Sequence, residues 1–208
     1  MFSTRSKRIW AGLAALSVLG LAACSSQGGA QTQAAAQGAT SKRLTIAMVT
    51  HGAASDAFWS QIQTGAKEAA AKDNVDFKYS GSGQVPEEAT FIQNAIDSKV
   101  DGIAVTLPDP AALGPVVQKA RDAGIPVVAI NAGDRDWQKY GALSFFGEPE
   151  SLAGQFVGTE LNKLGAKHAL CILHAQGQIQ LEDRCTGTKE KFSGTTDNSS
   201  QCGLPSSR

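Results

Sequence analysis

Residues 102–130 read GIAVTLPDPAALGPVVQKARDAGIPVVAI, two short apolar runs on either side of a longer amphipathic segment that Gly124 closes. An apolar run of four to eight residues is typical of a strand buried on both faces, and the middle segment has helical length and spacing. We therefore predict a strand at 102–107, a helix at 113–123 and a strand at 125–130. Two such strands joined by a helix form a parallel, right-handed crossover.

The same unit recurs on both sides of this stretch. Toward the N-terminus, strands are predicted at 44–49 and 75–79, each followed by a helix with an apolar face; Ser55 or Asp56 is positioned to cap the first helix, and Pro86 begins the second. Toward the C-terminus, the pattern predicts a weaker strand at 142–145, a helix at 149–164 and a strand at 168–173. This alternation predicts an α/β fold with an open parallel sheet.

The first 24 residues have the pattern of an export signal. Three basic residues (Arg5, Lys7 and Arg8) precede an apolar run from Ile9 to Leu21, and two small residues come before Cys24. The run is shorter than a membrane span, and its end suits a signal peptidase. The segment resembles the lipobox of bacterial lipoproteins, which implies a signal peptide at 1–23 and lipid attachment at Cys24. A non-lipidated secretory signal and a short uncleaved anchor are the alternatives.

Composition after the signal favours an exported protein that does not bind nucleic acid. Cleavage removes three basic residues and no acidic one from the 19 of each sign, so the mature chain is slightly acidic, whereas a nucleic-acid partner requires a basic face. Residues 24–42 are mostly Ser, Gln, Gly, Ala and Thr, which predicts a flexible tether. We expect the folded part to lie in the cell envelope, lipid-anchored on the periplasmic or extracellular side of the cytoplasmic membrane.

Ligands of an open α/β sheet bind beyond the carboxyl ends of its strands, here residues 51–59, 108–109 and 131–136. Three stretches around these ends carry a family resemblance: IAMVTHGAASDAFWSQIQTGAKEAA (46–70), DGIAVTLPDPAALGPVVQKARDAGIPVVAINAG (101–133) and GEPESLAGQFVGTEL (147–161). They resemble the type I periplasmic sugar-binding proteins of ABC importers, the group that includes ribose- and galactose-binding proteins. The resemblance covers residues 44 to 193.

The resemblance implies the type I periplasmic-binding-protein fold, in which two α/β lobes joined by a hinge close on one small ligand without converting it. Lobe 1 would span 43–147 and a partial lobe 2 would span 148–197, with 198–208 as a tail outside the family pattern. The implied partners are a monosaccharide or polyol, the permease of an ABC importer, and the membrane through the lipid on Cys24; no cofactor is implied. The alternative function is an extracellular binding protein that senses the ligand for a chemoreceptor or sensor kinase.

Five positions of lobe 1 match ligand contacts of the family. Phe58 and Trp59 match the aromatic pair that sandwiches the sugar, although they could equally pack into the core. Asp56 matches a position whose side chain hydrogen-bonds sugar hydroxyls. Alternatively, it could serve as a helix N-cap. His51 stands where the family has a small polar residue, and it could instead cap its loop. Asn131 follows the fourth strand, where ribose and galactose binders usually carry aspartate.

In lobe 2, Arg184 at the start of a helix matches an arginine that reaches into the cleft, and its alternative is a solvent-facing pair with Glu182 or Asp183. His174, Gln176 and Gln178 precede it and could add polar groups. Cys171 and Cys185 fall in a strand and the next helix, and an oxidising compartment allows a disulfide between them; two buried thiols are the alternative.

An enzyme is not expected, because the sequence has no G-x-S-x-G, no phosphate loop, no zinc spacing and no G-x-G-x-x-G after the first strand. A transcription regulator of the same fold would need a DNA-binding helix pair where the export signal stands. The family pattern stops at about Asn198, before lobe 2 is complete. We therefore expect a prematurely ended or frame-shifted product, and a non-functional fragment is one alternative for the function.

Overall fold

The computed structural model describes residues 42–52 and 56–199. The export signal, Cys24, most of the tether, Ser55 and the tail from residue 200 lie outside these ranges. Within them, no helix combines the length and the apolar character that crossing a membrane requires.

The first lobe is a five-stranded parallel sheet with its helices. The strands lie in the order β2-β1-β3-β4-β5, and each neighbouring pair is parallel. In chain order the elements are β1 (Thr45–Thr50), α1 (Ala57–Lys72), β2 (Asp76–Gly81), α2 (Val85–Asp97), β3 (Gly102–Val105), α3 (Pro110–Asp122), β4 (Val127–Ile130) and β5 (Phe145–Phe146). The α/β alternation predicted from the sequence is confirmed.

The core of this lobe lies between the central strands and the pair of helices α2 and α3. Ile103 and Val105 of β3 and Val127 of β4 are almost fully buried against Ile92 of α2 and Val117 of α3. These strands are apolar along their whole length, as is typical of parallel strands that are buried on both faces. Their burial fixes the carboxyl edge of the sheet, from which the loops after β1, β3 and β4 extend.

The second lobe consists of α4 (Glu150–Lys163), β6 (His168–Ile172), α5 (Ile179–Lys191) and β7 (Thr195–Ser199). Strands β6 and β7 pair in parallel, and α4 packs against α5. Glycines permit the close helix approach: a Cβ at Gly154 would collide with the carbonyl oxygen of Arg184, and one at Gly187 with that of Ser151. The two helices therefore form a tightly packed pair.

Several predicted boundaries were wrong. The strand predicted at 142–145 is Phe145–Phe146, because residues 137–142 form turns in which the Ala142 amide bonds to the Trp137 carbonyl oxygen. Helix α3 begins at Pro110, capped by Asp109, instead of at residue 113. Arg184 lies in the second turn of α5 and not at its start. Strand β7 was not predicted, since its sequence TTDNS has no apolar alternation.

Candidate functional site

The site lies where the strand order of the first sheet reverses, between β1 and β3. In an open α/β sheet this is the position at which the connections of neighbouring strands leave on opposite faces, so their carboxyl ends open a crevice. His51 follows β1 there, and Thr106 follows β3. The first turn of α5 faces the same edge, with the Ile179 amide donating to the carbonyl oxygen of Pro108 over 2.9 Å. Residues of both lobes therefore meet at this edge of the sheet.

His51 is held at this edge by three contacts. Its backbone amide donates to Thr106 Oγ1 over 2.9 Å, and its ring meets the Trp59 indole edge-on with centroids 5.0 Å apart. The Gln180 amide nitrogen lies 3.1 Å from His51 Nε2. Since that amide nitrogen can only donate, Nε2 accepts and the proton of the neutral ring sits on Nδ1. Burial, with His174 nearby, lowers the pKa of His51 to about 4, against a smaller opposing effect of Asp56.

Two buried polar atoms in this pair lack a partner among the described residues: Nδ1 of His51 and Oε1 of Gln180. Gln180 is only 4% exposed, and its amide nitrogen already donates hydrogen bonds to His51 Nε2 and Gln178 Oε1. A buried donor or acceptor without a partner costs free energy, and a hydroxyl group could satisfy both kinds at once. The pair therefore presents one free donor and one free acceptor at the junction of the lobes.

Phe58 and Trp59 have different environments, although the family resemblance treats them as a pair. Phe58 is 52% exposed, whereas Trp59 is 4% exposed beneath His51, and their rings meet edge-on at 5.2 Å. A Cβ on Gly52 would collide with the Trp59 indole, so only glycine allows the chain to pass over that ring. Phe58 thus has a free aromatic face, while Trp59 supports the imidazole.

Asp56 and Asn131 lie at the ends of their elements. Asp56 is the N-cap of α1, and its carboxylate accepts from the amides of Phe58 and Trp59 over 2.8 and 3.3 Å. Asn131 follows β4 with a left-handed backbone (φ 61°), which asparagine tolerates better than most residues, and its amide donates to the Phe146 carbonyl oxygen. Its side chain is half-buried at the carboxyl edge.

Arg184 bonds within the second lobe. Its Nε donates to Glu150 Oε2 over 2.6 Å, and the same carboxylate pairs with its Nη2. Glu150 is 3% exposed in the first turn of α4, and this hydrogen bond raises the pKa of Arg184. The sequence analysis offered Glu182 or Asp183 as charge partners, but the structure places Arg184 against Glu150. The ion pair joins α4 to α5.

A disulfide joins Cys171 of β6 to Cys185 of α5, with the two Cα atoms 5.9 Å apart. Cys185 is 2% exposed on the helix that also carries Gln180. The bridge ties this wall of the crevice to the second sheet.

A buried carboxyl group lies behind the His51 loop. Thr106 Oγ1 accepts from the His51 amide and donates to Glu88 Oε1 over 2.6 Å. Glu88 is fully buried, which raises its pKa to about 8 despite the bond from Thr106, and its Oε2 lacks a partner in the described part. Glu88 was not among the candidate site residues of the sequence analysis. Its spacing from Ile92 and Ala95 on the apolar face of α2 was the signal that it is buried.

Residues 42–52 and 56–199 contain no cluster of three or more His, Cys, Asp or Glu side chains placed to hold a metal ion. The two groups with unpartnered atoms at the crevice, His51 and Gln180, are neutral and lie beside the Trp59 ring. Such a set suits a small, uncharged, hydroxyl-bearing ligand.

Residues 46–203 match the family model described as "Periplasmic binding protein domain". Among solved structures, a carbohydrate transporter from Acidothermus cellulolyticus 11B, in complex with myo-inositol, is 52% identical with a TM-score of 0.74. The match covers 76% of this chain and 55% of that protein. A periplasmic sugar-binding protein of an ABC transporter from Legionella pneumophila is 32% identical with a TM-score of 0.71, over 76% of this chain and 60% of that one. No curated protein matches the sequence.

Proposed function

Because the chain belongs to the periplasmic binding protein family, whose members bind substrates, we propose that it binds a cyclic polyol or monosaccharide in the crevice between its lobes without converting it. The observation that carries this proposal is the 52% identity to a carbohydrate transporter whose structure holds myo-inositol. The chain spans 55% of that protein's length, so the proposal concerns the part of the cleft that the two share.

The geometry of the crevice supports a polyhydroxylated ring as the ligand. The Nδ1–H of His51 can donate to a hydroxyl oxygen and Oε1 of Gln180 can accept a hydroxyl proton. The exposed ring of Phe58 offers an apolar face to the C–H surface of a sugar or cyclitol. Because the low pKa keeps His51 neutral, this hydrogen-bonding pattern stays the same across the neutral pH range.

The proposal includes an anchor and a partner. Lipid on Cys24 would hold the protein at the outer side of the cytoplasmic membrane, and the permease of an ABC importer would receive the ligand. The lipobox-like segment and the family to which the chain belongs support this arrangement. Mass spectrometry of the mature N-terminus tests the anchor, and Cys24→Ser is expected to move the protein from the membrane fraction to the soluble fraction. An unmodified Cys24 in the mature protein would refute the anchor.

The binding proposal is tested by isothermal titration calorimetry of the purified exported chain with myo-inositol and a panel of monosaccharides. We expect saturable binding to at least one of them, weakened at least tenfold by Phe58→Ala or Gln180→Ala, since a well-placed contact is worth about 1.4 kcal/mol or more. Phe156→Ala is the matched control, because Phe156 is 65% exposed on α4 in the second lobe. No heat of binding across the panel, or equal loss in the control, would contradict the proposal.

A further inference from the structure

The two lobes meet through the first two turns of α5. The Ile179 amide bonds to the Pro108 carbonyl oxygen, Gln180 bonds to His51, and Asp183 forms an ion pair with Arg135. The first two contacts lie at the crevice itself. The third lies between α5 and the loop after β4, and the proposed ligand contacts do not include it.

Asp183 is nearly buried, and Arg135 compensates its charge. Asp183 is 8% exposed, its Oδ1 accepts from the Arg135 guanidinium, and its buried Oδ2 has no partner in the part of the chain that the structure describes. Asp134 lies beside it, and burial together with the Asp183 carboxylate raises the pKa of Asp134. Without Arg135, a nearly buried negative charge would face a second carboxyl group across the junction of the lobes.

We propose that Arg135 and Asp183 form an interlobe clasp, which holds the second lobe against the first and so slows the escape of a bound ligand. The effect on the ligand rests on the proposed function, whereas the clasp itself is a property of the ligand-free chain. Arg135 and Asp183 are positioning residues, because they act by keeping Gln180 opposite His51.

Other ion pairs of the second lobe do not cross this junction. Lys163 pairs with Glu160 within α4, and Arg184 pairs with Glu150 between α4 and α5. Removing Lys163 therefore changes the charge of the chain as removing Arg135 does, but leaves the contact between the lobes intact. This makes Lys163→Gln a matched control for Arg135→Gln.

Hydrogen exchange of single backbone amides tests the clasp without any ligand. The Ile179 amide reports on the junction because its acceptor, Pro108, belongs to the other lobe, whereas the Thr195 amide bonds to Lys167 within the second lobe. Arg135→Gln should raise the exchange rate of Ile179 roughly fivefold, the size expected for a half-exposed charged hydrogen bond, and leave Thr195 unchanged. Arg135→Lys should keep part of the protection, because it keeps the charge.

Arg135 has a side chain that is 57% exposed, so these variants are expected to fold, and circular dichroism checks this. Unchanged exchange at Ile179 in Arg135→Gln would overturn the clasp. Equal acceleration at Thr195, the same effect from Lys163→Gln, or no protection in Arg135→Lys would overturn it as well.

Stopped-flow binding of myo-inositol tests the second half of the inference. Arg135→Gln should raise the dissociation rate by about the same factor as the Ile179 exchange rate, with little change in the association rate. An unchanged dissociation rate would refute the role in retaining ligand. If the wild-type chain binds neither myo-inositol nor the sugar panel, the proposed function fails, and the exchange data still decide whether the clasp exists.

Discussion

Glu88→Gln is expected to stabilise the protein at neutral pH, although it changes a fully buried residue. The folded chain holds Glu88 protonated up to about pH 8, whereas the unfolded chain releases the proton near the ordinary value of 4.5. Between these two values the folded state binds more protons than the unfolded state, so this group lowers the free energy of unfolding as pH rises and adds no further change above about pH 8.

At pH 7 the accumulated penalty is about 3 kcal/mol, from roughly 1.4 kcal/mol per pH unit over the interval above pH 4.5. Glutamine keeps the acceptor that Thr106 uses and cannot ionise. The glutamine amide nitrogen would take the place of Oε2, which has no partner among the described residues. The number of unpartnered buried groups therefore stays the same in the variant. The gain over wild type should therefore be small at pH 4.5 and approach about 3 kcal/mol at pH 7.

Urea unfolding followed by circular dichroism at pH 5, 6, 7 and 8 measures this difference. Comparing wild type and Glu88→Gln at each pH cancels the titration of other groups. The control is Glu68→Gln, which removes an exposed carboxylate of α1. A stability difference that stays constant from pH 5 to pH 8 would show that Glu88 does not carry its proton into the folded state, and the reasoning would fail.

Three further substitutions test the packing around the crevice by equilibrium unfolding. Gly52→Ala should destabilise by about 1–3 kcal/mol because its Cβ meets the Trp59 indole, whereas Gly65→Ala in α1, with open space around it, should not destabilise; equal effects would refute the argument. Thr106→Val should cost about 2–3 kcal/mol, because it leaves the His51 amide and the Glu88 carboxyl without their shared partner, and a cost near zero would contradict this. Replacing both cysteines of the Cys171–Cys185 bridge by serine should cost about 3 kcal/mol, and unchanged stability in the oxidised protein would argue against a bridge.

The order of elements could be predicted from the sequence because each buried strand is a continuous apolar run and each helix has an apolar face. The strand at 142–145 failed because the turn bond from Ala142 to Trp137 has no clear sequence signal. The start of α3 did have a signal, Asp109 followed by Pro110, which the prediction at residue 113 did not use. Strand β7 could not be predicted, since it is polar and gains its structure only by pairing with β6. Periodicity alone detects a strand by its burial pattern, and this one has none.

The position of the ligand site stays a prediction, whereas the contacts among its candidate residues appear only in the structure. The carboxyl edge of the sheet could be located because the strands and their direction could be predicted, and ligands of open α/β sheets generally bind at that edge. The hydrogen-bond partner of His51 could not be predicted from the sequence. Gln180 is distant in sequence and becomes its neighbour only when the lobes meet. Likewise, the separation of Phe58 from Trp59 into an exposed and a buried ring depends on Gly52, whose role appears only in three dimensions.

The Cys171–Cys185 disulfide between β6 and α5 can form only in an oxidising compartment. If the chain is exported as proposed, it is made in a reducing cytoplasm, in which thiols stay unpaired, and the bond would form only after export. Until then, the helix that carries Gln180 and Asp183 lacks its covalent tie to the second sheet. Under the proposed function, we expect the chain without this bridge to bind its ligand more weakly, because Gln180 is then held less firmly opposite His51.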